Sequence, residues 1–159
     1  MLRKTCFFGL CLMLGFSLMS TQCSRDEAEM SQAVIMKDIE LTARSTSWEV
    51  SYFLESGVDK TEAFQKMSFN FNPDGSLEVL NKRNSKYSGA WAVDGSIKET
   101  AETKFQNIDF RVYFATPSQM KVLNKTWNIS NYTTNEIELV VHHSGGQIDY
   151  LKLERTEDL

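Results

Sequence analysis

Cysteine is nearly absent from this chain. Three occur in 159 residues: Cys6 and Cys11 lie in the first 22, and Cys23 stands alone in all that follows. A domain beginning at Cys23 can form no internal disulfide, so its fold is held by its own core even in an oxidising compartment. Proline is as scarce, at Pro73 and Pro117 only, which excludes a Pro-rich linker or spacer. Histidine occurs only as His142-His143. Neighbouring residues on a strand point to opposite faces, so this pair cannot jointly chelate one metal; one faces inward and one outward. A nucleophile of the Ser-His-acid or Cys-His kind needs an identifiable base, and none is placed to serve. No catalytic residue, metal site or cofactor is expected. Positive charge is also in deficit, with 17 Lys and Arg against 21 Asp and Glu, a net of −4. Removing residues 1–22 takes away Arg3 and Lys4 and no acid, leaving −6. Nothing resembles the basic stripe of a nucleic-acid binder. The one long apolar run, residues 6–19, falls short of the roughly 20 residues a spanning helix needs. There is no internal repeat, low-complexity tract or second-domain boundary, and the 137 residues from Cys23 to Leu159 suit one domain.

What is present begins with export. Arg3 and Lys4 form a basic start, the apolar run follows, and Ser20-Thr21-Gln22 leads into Cys23. That is the layout of a secretory signal peptide over residues 1–22. Leu18-Met19-…-Cys23 is similar to the lipobox of bacterial lipoproteins, with Gln22 where a small residue is usual, as in the looser versions found in Bacteroidetes. The similarity implies lipidation at Cys23 by a diacylglycerol thioether and an amide-linked chain such as palmitate, with the protein anchored in the outer membrane through those chains. At roughly 0.8 kcal/mol per buried CH₂, two or three chains hold a protein stably where one does not. The alternative is an uncleaved N-terminal anchor or an ordinary signal cleaved near Ser20. Ser24-Arg25-Asp26-Glu27-Ala28-Glu29 resembles the surface-export signal of lipoproteins in that phylum; otherwise it is a solvated tether whose charges prevent collapse.

The chain after the cysteine divides into a tether with a short helix, residues 23–45, and a β domain, residues 46–159. Met30, Val34, Ile35, Ile39 and Thr42 recur at helical spacing over residues 28–43. That helix either lies across the mouth of the domain or connects it to the tether. After Ser47 the period becomes two. Trp48, Val50 and Tyr52 alternate with polar residues, as do Met67, Phe69 and Phe71, and Asn72-Pro73-Asp74-Gly75 then turns the chain into Leu77 and Val79. Further strands hold residues 90–93, 108–114, Trp127 with Ile129, Ile137 to Val141, and Leu151 with Leu153. Residues 118–123 read as one helical turn, and residues 97–106 are polar and carry no clear pattern. Eight short strands joined by hairpin-length turns predict an all-β fold: an eight-stranded antiparallel up-and-down barrel, since closure removes the exposed edges. A two-sheet sandwich is the alternative.

Trp48-Glu49-Val50, residues 57–64 (Gly-Val-Asp-Lys-Thr-Glu-Ala-Phe), residues 69–75 (Phe-Asn-Phe-Asn-Pro-Asp-Gly), Gly89-Ala90-Trp91 and residues 123–129 (Leu-Asn-Lys-Thr-Trp-Asn-Ile) follow one another within this meander. Taken in order they resemble the small lipocalin-like lipoproteins of flavobacteria and other Bacteroidetes. The resemblance covers residues 47–153 and implies a calycin-type barrel on a lipid anchor, with no known reaction. True lipocalins carry Gly-x-Trp on the first strand, whereas here Trp48 follows Thr46-Ser47 and the Gly-x-Trp falls on the fourth. The expectation is a non-enzymatic envelope lipoprotein displayed at the outer membrane, with the acidic stretch after Cys23 favouring the cell surface. Its barrel holds a small apolar ligand; alternatively the barrel is solid and its loops bind an envelope protein or a glycan.

Several polar groups invite chemistry. Glu136 and Glu138 share one strand face with Asp149 across the next turn, and paired carboxylates about 5–9.5 Å apart could act on a glycoside, but a solvated outer face explains them better. Asp59, Lys60 and Glu62 either order the first loop or rim a barrel mouth. Residues 124–126, 128–130 and 131–133 match the N-glycosylation sequon, which carries no meaning in a bacterial lipoprotein. The three tryptophans either stack on a ligand or plug the barrel; plugging is the commoner use of inward tryptophans at strand ends.

Overall fold

The computed structural model describes residues 22–95 and 108–156, with side chains from Gln32 onward. Its elements in chain order are α1 (Gln22–Arg44), β1 (Trp48–Glu55), β2 (Val58–Asp59), α2 (Thr61–Phe64), β3 (Ser68–Phe71), β4 (Ser76–Leu80), β5 (Lys86–Gly95), β6 (Ile108–Tyr113), a 3₁₀ helix (Ser118–Leu123), β7 (Lys125–Tyr132), β8 (Glu136–His142) and β9 (Ile148–Arg155). Every strand pairing is antiparallel and sequential from β3 to β9, and β1 pairs with both β3 and β9. The eight long strands therefore close into an up-and-down barrel, with β2 a two-residue ribbon on the end of β1. Register shifts at Val50/Tyr52 on β1 and Ile129/Asn131 on β7 add the local twist that a tight barrel requires.

The period-two alternation sets what lies inside. Trp48, Val50 and Phe53, then Phe69 and Phe71, Leu77 and Val79, Trp91 and Val93, and onward to Leu151 and Leu153 all point into one core. Among the described residues twenty-five hydrophobic side chains are buried, none more than 8 % exposed. Both ends are stoppered. At one end α1 crosses the barrel mouth, with Ile39 and Ala43 buried and Tyr132 donating from Oη to Asp38 Oδ2 at 2.9 Å. Gly95 permits this approach, because a Cβ there would stand 2.5 Å from Met36 Sδ and 2.8 Å from Gln32 Nε2. At the other end α2 inserts Phe64 edge-on against Phe53, their centroids 5.4 Å apart, and the 3₁₀ helix buries Met120 and Leu123. Gln119 Nε2 joins the two pieces by donating to the Ala63 carbonyl at 3.0 Å.

The tryptophans belong to this core. Each indole N–H donates to an internal backbone carbonyl: Trp48 to Ala43 at 2.8 Å, Trp91 to Asn72 at 3.0 Å and Trp127 to Leu123 at 3.2 Å. The single polar atom of each ring is thereby satisfied on burial. Trp91, Phe71 and Phe110 form a mutual cluster, Trp91 edge-on to Phe71 at 5.1 Å and tilted against Phe110 at 5.6 Å. Three differences from the sequence reading are local. α1 starts at Gln22 rather than 28, so the acidic stretch after Cys23 is helical backbone. β5 begins at Lys86, and the four-residue α2 was not foreseen. The patternless segment 97–106 lies outside the described residues.

Candidate functional site

The most polar arrangement inside the fold sits at the end capped by α2 and the 3₁₀ helix. Asp149 is the one buried charged residue among those described, 1 % exposed. It occupies the inward phase of β9, alternating with Leu151 and Leu153. Its Oδ1 accepts the Ser56 N–H at 2.7 Å, and its Oδ2 lies 2.6 Å from Lys125 Nζ and 2.9 Å from His143 Nε2. Lys125 opens β7 and reaches back to Glu55 Oε1 at 2.8 Å, and Glu55 also pairs with Lys60. Beneath this network the Lys125 ammonium lies 5.8 Å from the Phe53 ring centroid and 5.3 Å from that of Trp127, within reach of a cation–π attraction. Three segments remote in sequence thus meet: the end of β1, the start of β7, and the β8–β9 turn with the start of β9.

The charges decide what this cluster does. Burial alone would raise the Asp149 pKa, but hydrogen bonds from Lys125, the Ser56 N–H and His143, with the Lys125 charge, outweigh it and hold the carboxyl at about 2. Burial likewise opposes ionisation of Glu55, and its hydrogen bonds and charge pairing with Lys125 and Lys60 leave its pKa below the ordinary value. Both carboxylates are ionised at neutral pH and both are fully engaged. The cluster is a clasp that fixes the β1–β2 turn and the β8–β9 turn side by side. A folded-state pKa below the unfolded one gives stability that is present above about pH 3.8 and is lost as pH falls through about 2. Asp149→Asn should therefore cost about 2–3 kcal/mol at pH 7. It should also flatten the acid limb of a melting-temperature profile, removing about 2 kcal/mol of pH-dependent stability. A variant whose profile overlays the parent's between pH 2 and 5 would show that the clasp is not stabilising.

The other residues singled out in the sequence lie elsewhere. Glu136 and Glu138 point outward and both face Lys152, at 2.9 and 3.9 Å, on the opposite face of the β8–β9 wall from the inward Asp149. No carboxylate pair straddles a cleft there. The expected inward–outward split of the histidines is not seen: both are exposed, His142 at the end of β8 and His143 in the turn beyond it, from which its ring reaches Asp149. Asp59 orders its own loop by accepting the Thr61 N–H at 2.8 Å, Lys60 joins the clasp, and Glu62 lies in the first turn of α2. The sequon asparagines serve the fold. Asn124 exchanges two hydrogen bonds with the Phe114 backbone, Asn128 donates to Asp109, and Asn131 donates to Glu136. Among the described residues no group of His, Cys, Asp and Glu is arranged to hold a metal. Cys23 falls in the first turn of α1.

Two outer surfaces carry exposed aromatics. Over β5 and β6 a cleft of about 280 Å³ is lined by Ala90, Trp91, Ala92, Arg111, Val112 and Tyr113. Ala90, Ala92, Arg111 and Tyr113 are in the outward phase of their strands, so the cleft lies on the outer wall rather than in the lumen. On the β1–β9 wall Tyr52 and Tyr150 approach to 5.9 Å, next to Ile148.

No family model matches the chain, and no curated protein matches it. The solved structures similar to it include two from Bacteroides. A lipocalin-like protein from Bacteroides uniformis shares 12% identity over 72% of this chain and 99% of its own, with a TM-score of 0.39. An uncharacterized protein from Bacteroides eggerthii shares 12% over 69% of this chain and 97% of its own, also at 0.39. The assignment of the chain as a closed eight-stranded antiparallel barrel rests on its own strand pairing.

Proposed function

We propose that this protein is a non-enzymatic, lipid-anchored envelope lipoprotein whose small barrel binds a partner, an envelope protein or a glycan, through its loops and outer walls rather than through its lumen. The observation that carries the proposal is the filled interior. Among the described residues the aliphatic and aromatic side chains from Trp48 to Leu153 form one core whose buried members are at most 8 % exposed, Tyr87 and Val141 pack partly buried against it, and both barrel mouths are covered. Small-molecule pockets run to about 300–1,000 Å³ lined by partly open side chains, and the packed aromatics leave no such room. The clasp around Asp149 supports the same reading, because it holds two turns in one arrangement before any partner arrives, which lowers the ordering cost of binding. The anchor is supported by the sequence around Cys23.

A titration with a fluorescent fatty acid tests the proposal against a luminal carrier. The expected result is weak, non-saturating fluorescence up to tens of micromolar probe, on the order of surface adsorption. Saturable one-to-one binding at or below about 1 μM, worth about 8 kcal/mol, would require a lumen and overturn the solid-barrel reading.

A further inference from the structure

We infer that the outward face of α1 is a membrane-contact surface, which seats the barrel with its α1 end on the bilayer and its Asp149 end toward the solvent. The inference rests on the lipid-anchor reading of Cys23 and adds an orientation to it. The helix is continuous from Gln22 to Arg44. Its barrel-facing side is fixed by Ile39 and Ala43, both fully buried, and by Met36 and Gln32 against the position of Gly95. On the opposite side Val34 is 64 % and Leu41 51 % exposed, two of the largest exposed apolar residues described. Val34 and Leu41 are seven positions apart, with Lys37 between them on the same side and its side chain 61 % exposed.

Helical register ties this stripe to the cysteine. Positions 23 and 41 are 18 apart, which at about 3.6 residues per turn is five whole turns, and position 34 lies about 20° from that line. Positions 39 and 43 fall about 160° and 200° away, on the far side of the helix. The helical position that would bear the acyl chains is therefore in line with the two exposed apolar residues and opposite the barrel. Among the described residues no helix is long and apolar enough to cross a membrane; the proposed seating lays α1 along the surface. The occupant of this face is lipid, because an anchor at position 23 holds the stripe within a helix length of the bilayer, and the apolar run at 6–19 would do so equally if it were retained. The face has no basic excess, since Lys37 pairs with Glu40 at 3.4 Å and Glu27 falls in the same angular sector as position 23. The contact is therefore apolar and should be insensitive to salt and indifferent to anionic lipid.

The test uses the full-length lipidated protein, purified from membranes of its own host and reconstituted into zwitterionic phosphatidylcholine vesicles with brominated acyl chains. Val34→Trp and Leu41→Trp each add a reporter to the proposed contact. Ile148→Trp adds one at the far end of the barrel, and the three buried native tryptophans give a common background. All three sites are exposed, and circular dichroism checks that each variant folds. The expected result is that the brominated lipid quenches the added emission at 34 and 41 at least twofold, in low and high salt alike, and leaves that at 148 unchanged. If the protein floats with the vesicles but 41 is quenched no more than 148, the anchor stands and the membrane-contact face is overturned. If the protein does not float at all, the anchor reading fails and the orientation fails with it.

Discussion

Trp127→Ala should remove about 3–5 kcal/mol from the stability of this domain, measured as a drop in urea midpoint at unchanged slope. Total stabilities are usually about 5–15 kcal/mol, so the variant would stand near the edge of folding at 37 °C. The size of the effect follows from what the ring touches. Trp127 is fully buried, lies edge-on to Phe53 at a centroid distance of 6.3 Å, and donates its N–H to the Leu123 carbonyl that ends the 3₁₀ helix. It also forms the floor under Lys125. Truncation would open a void between the stopper and the clasp, and rigid strands on both sides prevent its collapse. Trp127→Phe keeps most of the apolar area and loses the hydrogen bond, so it should cost only about 1–2 kcal/mol. Equal costs for Phe and Ala would show that the indole N–H, rather than the packing, carries the contribution of this residue.

Cys23→Ser should move the protein from the detergent phase to the aqueous phase of a temperature-induced partition, an all-or-none change. Two or three acyl chains at roughly 0.8 kcal/mol per buried CH₂ hold a protein on a membrane stably. The exposed stripe on α1, with Val34 and Leu41 as its apolar members, is far too small to replace them. Retention of the serine variant in the detergent phase would mean that residues 6–19 remain as an uncleaved anchor, and the lipoprotein reading would fall. The mature mass discriminates further, since cleavage before position 23 leaves 137 residues plus lipid.

The strands were legible because a half-buried antiparallel sheet writes its two faces into the chain as alternation. Phe69 and Phe71, Ile108 to Val112, and Ile137 to Leu139 sit in the phase their neighbours predict. Closure was legible as well, as a consequence of edge cost rather than of any local signal. The start of α1 was not. Ser24 to Glu29 carries four charges and no apolar face, so its helical backbone could not be told from a solvated tether. α2 spans four residues, too short for periodicity to register.

The clasp was the larger omission. Glu55 with Lys60 and His143 with Asp149 are local pairs across their own turns, but Lys125 and the Ser56 N–H reach Asp149 only because the barrel closes, and no spacing in the chain announces that contact. One signal was present: Asp149 alternates with Leu151 and Leu153, so an acid stood in the inward phase of a strand and needed a partner. Grouping it with Glu136 and Glu138 overlooked that opposite phase. The filled lumen was foreshadowed by the number of bulky inward residues, but density of packing is set by three dimensions and is read from the fold.

The measurement that tests the central claim most directly is native mass spectrometry of the protein extracted gently from its own host, compared with its denatured mass. A barrel filled by its own side chains predicts the same mass in both states. An additional small apolar molecule that stays with the folded protein and leaves on denaturation would contradict it, and would make the barrel a carrier.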